Sequence, residues 1–227
     1  MKVSVTLSAN AGVAIRIGGR CIWVDALPYI KTEGFSVLNR ELAWKIFYED
    51  ALGEPDWYCC THYHPDHYCM VLTDDAEREF KDMKLLLPQE EWGKEHIGGD
   101  GEINIRFVRL PHDGKQYAEE LHYGMIISYM GKNMLISGDC AVAHPAMAEA
   151  IGGQQIHLAI MNFPWLTLRR GREFVSKYLP DARILLVHLP FAEDDINGYR
   201  AAAQRAVQND PAVQLLMEPL QRIEIDI

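Results

Sequence analysis

Between Thr61 and Tyr68 the sequence reads THYHPDHY, so His62, His64, Asp66 and His67 fall within six consecutive positions. They follow directly on the apolar run Trp57-Tyr58-Cys59-Cys60. Imidazole and carboxylate groups are the usual ligands of hydrolytic transition metals. On an extended chain, residues two apart face the same side, so His62 and His64 can reach one cation at the end of a strand. Pro65 interrupts a regular central strand. A turn after it directs Asp66 and His67 to a second cation about 3.5–4 Å from the first, the separation that dinuclear hydrolytic sites use. A single histidine would read as a surface or hydrogen-bonded core residue. Four ligand-type side chains at this spacing are costly to crowd together without a cation.

The elements around the cluster follow from periodicity and turn chemistry. VSVTL, GVAIRIGG and RCIWVDALP read as consecutive strands, with Gly18-Gly19 at a hairpin turn and Asp25 ending the third strand. Residues 40–51 have helical spacing, and 57–61 form a buried strand that delivers the chain to His62. TDDAEREFKDMK is expected as a helix capped by Thr73, LLLP as a short strand and EEWGKEHI as a helix. INIRFVRLP, GMIISYM and NMLISGD read as an antiparallel meander turning at Gly131-Lys132. IHLAIMNF and ARILLVHLP alternate with helices at 168–179 and 198–208. GGDGE at 98–102 reads as a surface loop. Strands followed by helix–strand alternation, twice over, predict a four-layer αββα sandwich made by one domain, residues 1–227.

Composition narrows the class of function. The chain of 227 residues is 48% apolar and carries 22 basic against 32 acidic side chains, a formal charge of −10. That charge repels polyanions and leaves no footprint for nucleic acid. The apolar runs fall short of the roughly 20 residues that cross a bilayer, and Met1-Lys2 leads straight into a strand, so no membrane span or export signal is expected. Five cysteines without a CxxC pair read as reduced thiols, in keeping with a cytoplasmic enzyme.

The His62–His67 segment resembles the HxHxDH motif of the metallo-β-lactamase superfamily, whose fold is the αββα sandwich. The resemblance continues in RCIWVDALP, in SGDC and in LLVHLP. It implies that His62, His64 and a third histidine hold one metal, that Asp66, His67 and His188 hold a second, and that Asp139 bridges them. His112 in RLPHDG is the third histidine by its place at a strand end, with His122 in LHYG as the rival. Asp25 is expected to orient the ligand loops by hydrogen bonds rather than to touch metal. SANAGVAI and CIWVDALP are similar to the branch that includes ascorbate-phosphate lactonase, although Asn10 stands where many of those proteins have histidine.

The resemblance implies a hydrolase in which two metal ions activate water, Asp66 orients that water, and the substrate is a small ester, lactone or phosphodiester. Two zinc ions bring +4 against −3 from Asp66, Asp139 and a hydroxide, so an anionic small molecule is compatible with the acidic chain. A glutamate in place of His64 would resemble the diiron oxygen-reducing branch. The nitrogen-rich set favours zinc, with manganese or iron as other occupants. The alternatives are a metal-bound binding or sensing module without catalysis, a nuclease, and a mononuclear iron sulfur dioxygenase.

Overall fold

The computed structural model describes residues 1–227. In chain order the strands are β1 (Lys2–Leu7), β2 (Val13–Ile17), β3 (Arg20–Val24), β4 (Trp57–Cys59), β5 (Lys84–Leu86), β6 (Glu95–Gly99), β7 (Ile103–Arg109), β8 (Tyr123–Tyr129), β9 (Lys132–Ile136), β10 (Leu158–Asn162), β11 (Arg183–Val187), β12 (Val213–Leu215) and β13 (Arg222–Asp226). The helices are α1 (Arg40–Tyr48), α2 (Met70–Glu79), α3 (Pro145–Ile151), α4 (Pro164–Thr167), α5 (Arg169–Tyr178) and α6 (Tyr199–Val207). The fold is mixed α/β, with two mixed sheets of 6 and 7 strands. The chain divides into two compact units, the first made of residues 1–87, 187–200 and 216–226, the second of 88–186, 201–215 and 227. No helix is long and apolar enough to cross a membrane.

In the first unit the sheet runs β13-β1-β2-β3-β4-β5. β13, β1, β2 and β3 pair antiparallel, and β3, β4 and β5 pair parallel. The β2–β3 hairpin turns through Gly18 and Gly19 at φ 59° and 81°, the left-handed values that a two-residue turn of this hand requires. Ile15, Ile22, Trp23 and Trp57 are fully buried and form part of this unit's core. Because β3 and β4 are parallel neighbours, both end at the same edge of the sheet. The Asp25 amide extends the pairing by donating to the Cys59 carbonyl at 3.0 Å. Asp25 and the loop that begins at Cys60 therefore leave the sheet side by side. α2 starts at Met70, before the expected cap. Thr73 lies inside it and its hydroxyl bonds back to the Cys69 carbonyl at 2.9 Å.

In the second unit the order is β12-β11-β10-β9-β8-β7-β6. β6 to β9 form the antiparallel meander, β10 runs parallel to β9, and β12 parallel to β11. The β8–β9 turn is made by Met130 and Gly131, both left-handed, one residue earlier than expected. The helix expected over Glu90–Ile97 is not formed. A single 3-10 turn at Glu90–Trp92 stops at Gly93, where φ is 61°, and the chain enters this sheet as β6, taking Gly98 and Gly99 with it. Val108, Leu135, Met147, Ala159, Trp165, Phe174 and Leu186 belong to this unit's apolar cluster.

Candidate metal centre

The loop after β4 turns sharply at Pro65, and the amides of His67 and Tyr68 both donate to the His64 carbonyl at 2.9 Å. This turn folds the four ligand-type side chains back on one another. The ring centroids of His62 and His64 are 4.5 Å apart, and those of His62 and His67 are 4.2 Å apart. His188 follows β11 with its backbone left-handed at φ 61°, and its ring lies 5.2 Å from that of His67. Within the first unit, His62, His64, Asp66, His67 and His188 are therefore gathered together.

Asp25 holds the cluster in place. Its buried carboxylate accepts hydrogen bonds from the Thr61 amide at 2.7 Å, the Thr61 hydroxyl at 2.6 Å and His67 Nδ1 at 2.9 Å. Since the Thr61 hydroxyl donates to Asp25, it accepts from His62 Nδ1, which lies 2.9 Å away. Both histidines thus carry their proton on Nδ1, and Nε2 is the ring nitrogen each would offer to a cation. The donor set fits one. Ligand atoms around a tetrahedral zinc stand roughly 3.3 Å apart, given bonds of about 2.0–2.1 Å. Asp66 Oδ2 lies 3.4 Å from His188 Nε2 and 3.9 Å from His67 Nε2. The three donor atoms of Asp66, His67 and His188 all lie within 4.8 Å of one another.

The second unit carries the other expected residues. His112 and Cys140 form an isolated antiparallel bridge, which sets the end of the β7 segment beside Asp139. His112 Nε2 lies 3.7 Å from Asp139 Oδ2, and His112 Nδ1 is 2.6 Å from the Asp113 carbonyl. His122 is buried, with Nδ1 3.1 Å from the Leu110 carbonyl and its ring edge-on to His112 at 5.6 Å. Asp139 accepts a hydrogen bond from Asn162 Nδ2 at 2.6 Å. Cys140 is buried, and burial pushes its thiol well above the usual range, so it remains protonated near neutral pH.

The whole chain superposes on solved structures of low sequence identity. A metallo hydrolase from the archaeon Ignicoccus hospitalis matches with a TM-score of 0.66 at 16% identity, over 100% of both chains. The isothiocyanate hydrolase from Delia radicum gut bacteria matches at 0.64 and 13%, over 98% of both. The metallo-β-lactamase fold protein YhfI from Bacillus subtilis matches at 0.58 and 14%, over 98% of this chain and 99% of that one. The chain has the metallo-β-lactamase fold. No family model matches the chain, and no curated protein does.

On this metallo-β-lactamase fold three polar residues that bond to the expected site residues of their own unit went unseen as such in the sequence. Thr61 relays between Asp25 and His62. Asn162 ends an otherwise apolar strand, and a polar residue in that place was the available signal. Asn10, noted only as a departure from related sequences, donates to the Asp66 carboxylate.

Proposed function

We propose that this chain is a metal-dependent hydrolase acting on a small ester, lactone or phosphodiester. The observation that carries the reading is the triad of Asp66, His67 and His188, whose three donor atoms all lie within 4.8 Å of one another, with Asp25 fixing the tautomer of His67. The ligand set is the one the sequence resemblance implies: His62, His64 and His112 for one ion, Asp66, His67 and His188 for another, and Asp139 as the bridge. Zinc fits the nitrogen-rich set best, with two ions per chain. A bound metal of this kind supplies a polarised substrate oxygen and a water whose pKa falls from 15.7 toward about 7.

The residues of the chain do the rest. Asp25 and Thr61 keep His62 and His67 as Nε2 donors. Asp66 would help hold the metal, with Oδ2 the oxygen that faces His67 and His188, and would orient the water. With Asp66 and Asp139 as the only ligand carboxylates, the charge at the site stays positive enough for an anionic small substrate despite the acidic chain.

Elemental analysis of purified, metal-supplemented protein should give about two transition-metal ions per chain. A screen of ester, lactone and phosphodiester substrates should find turnover that is lost in His62→Ala and Asp66→Ala. Asp139→Asn, which removes a negative charge between two dications, should lose one ion first and activity with it. His112→Ala should lower metal content where His122→Ala does not. Protein without bound metal would refute the reading, and two ions without turnover would favour a binding or sensing module.

A further inference from the structure

The turn between β1 and β2, Ser8 to Gly12, is buried throughout, which is unusual for a hairpin connection. The Ser8 amide donates to the Gly12 carbonyl and the Gly12 amide to the Ala9 carbonyl, both at 2.8 Å. A Cβ on Gly12 would collide with the Asp25 carbonyl oxygen and the Ser8 hydroxyl, so the turn is seated hard against the residue that orients the histidines. At its tip Asn10 is fully buried and left-handed, with φ 54°. Few non-glycine residues tolerate that conformation, and asparagine is one of them.

The side chain of Asn10 meets Asp66 twice. Nδ2 lies 3.1 Å from the Asp66 carbonyl oxygen and 3.0 Å from its Oδ2. An amide nitrogen carries two protons, and here both go to one residue, to its backbone and to its side chain. That pair fixes the rotamer of Asp66, and Oδ2 is the oxygen that faces His67 and His188. The backbone of Asn10 meets the third member of the triad, because its carbonyl accepts from the His188 amide at 2.9 Å.

We infer that Asn10 is a positioning residue for the ion assigned to Asp66, His67 and His188, an inference that rests on the metal reading of that triad. The choice of residue follows from the geometry. Neutral histidine or serine offers one proton where two are used. Aspartate would set a second carboxylate against Asp66. Lysine or arginine would bring a cation beside the metal. Glutamine is longer by one methylene and less suited to a left-handed backbone. Only a short neutral amide meets both oxygens of Asp66 from this turn.

The test is a titration of metal-free protein with zinc against a chromophoric chelator, together with thermal melting of the metal-free protein. Asn10→Gly removes the amide and takes the left-handed conformation without penalty. Asn10→Asp keeps the shape and replaces donors by acceptors. Both should weaken one of the two ions by about 10–100-fold, the usual effect of losing a partner that orients a ligand, and leave the other as in the parent. Metal-free Asn10→Gly should still melt cooperatively, at a lower temperature for the two buried hydrogen bonds lost; if it does not fold, Asn10→Asp serves in the same comparison. In an Asp66→Ala background, adding Asn10→Gly should cause no further loss. Parental affinity for both ions in both variants would overturn the inference, and so would a further loss in the Asp66→Ala background. A parent that binds no zinc would instead overturn the proposed function, and the inference with it.

Discussion

Asp25 sits in the left-handed region at φ 49° and accepts hydrogen bonds from the Thr61 amide, the Thr61 hydroxyl and His67 Nδ1, all from a position almost without solvent contact. Asp25→Asn keeps the volume but turns one acceptor oxygen into a donor facing donors. It should cost about 1–3 kcal/mol in urea unfolding of the metal-free protein, and metal affinity should fall as well. The cysteines give a second check on burial. All five are buried, and burial pushes the Cys21 thiol up to about 11 and those of Cys60 and Cys140 up as well. An aromatic disulfide reagent at pH 8 should label none of them in native protein within minutes, and all five in denaturant. The ligand types at 62–67 were legible because metal chemistry restricts them to a short menu at fixed spacing. The partners that orient them were less so. Asp25 could be placed at a strand end, but Thr61, Asn10 and Asn162 are short polar residues whose roles depend on which distant segment folds against them.

Among the elements, α4 and α5 meet at a glycine. A Cβ on Gly171 would collide with the Trp165 carbonyl oxygen, and Trp165 is fully buried in the apolar cluster of its unit. Helix propensity alone favours Gly171→Ala by about 1 kcal/mol. The close approach reverses the sign, and the variant should be destabilised by about 1–3 kcal/mol in chemical denaturation. β1 to β3 and the β7–β9 meander were legible from strand-like patterning and glycine turns, and β4 from its short apolar run. Glu90–Ile97 was not, because its charged composition favours a helix while Gly93 and pairing with β7 draw the segment into an edge strand. α3 was overlooked although its start is marked: His144 caps it by accepting from the Ala146 amide, and Pro145 occupies the first turn. β12 and β13 are short, half-exposed strands whose alternation is too brief to stand out.

For the molecule as a whole, neither compact unit is a continuous stretch of chain. The first is assembled from three segments, and the second from residues 88–186 and 201–215 with Ile227. Units interleaved in this way are expected to unfold together. Calorimetry of metal-free protein should show a single transition with equal calorimetric and van't Hoff enthalpies; two separate transitions would show the units to be independent. The pairing of β1 with β13 sets Lys2 opposite Asp226 and Val3 opposite Ile225. That register has a consequence for biosynthesis. A ribosome releases residues 2–7 long before residues 222–226, so one flank of β1 has no strand to hydrogen-bond with until residues 222–226 have emerged. The β6–β9 meander joins neighbours in sequence and needs no such delay. A nascent chain arrested before residue 222 would carry an open β1 edge, the kind of surface that recruits chaperones or pairs with another copy of itself.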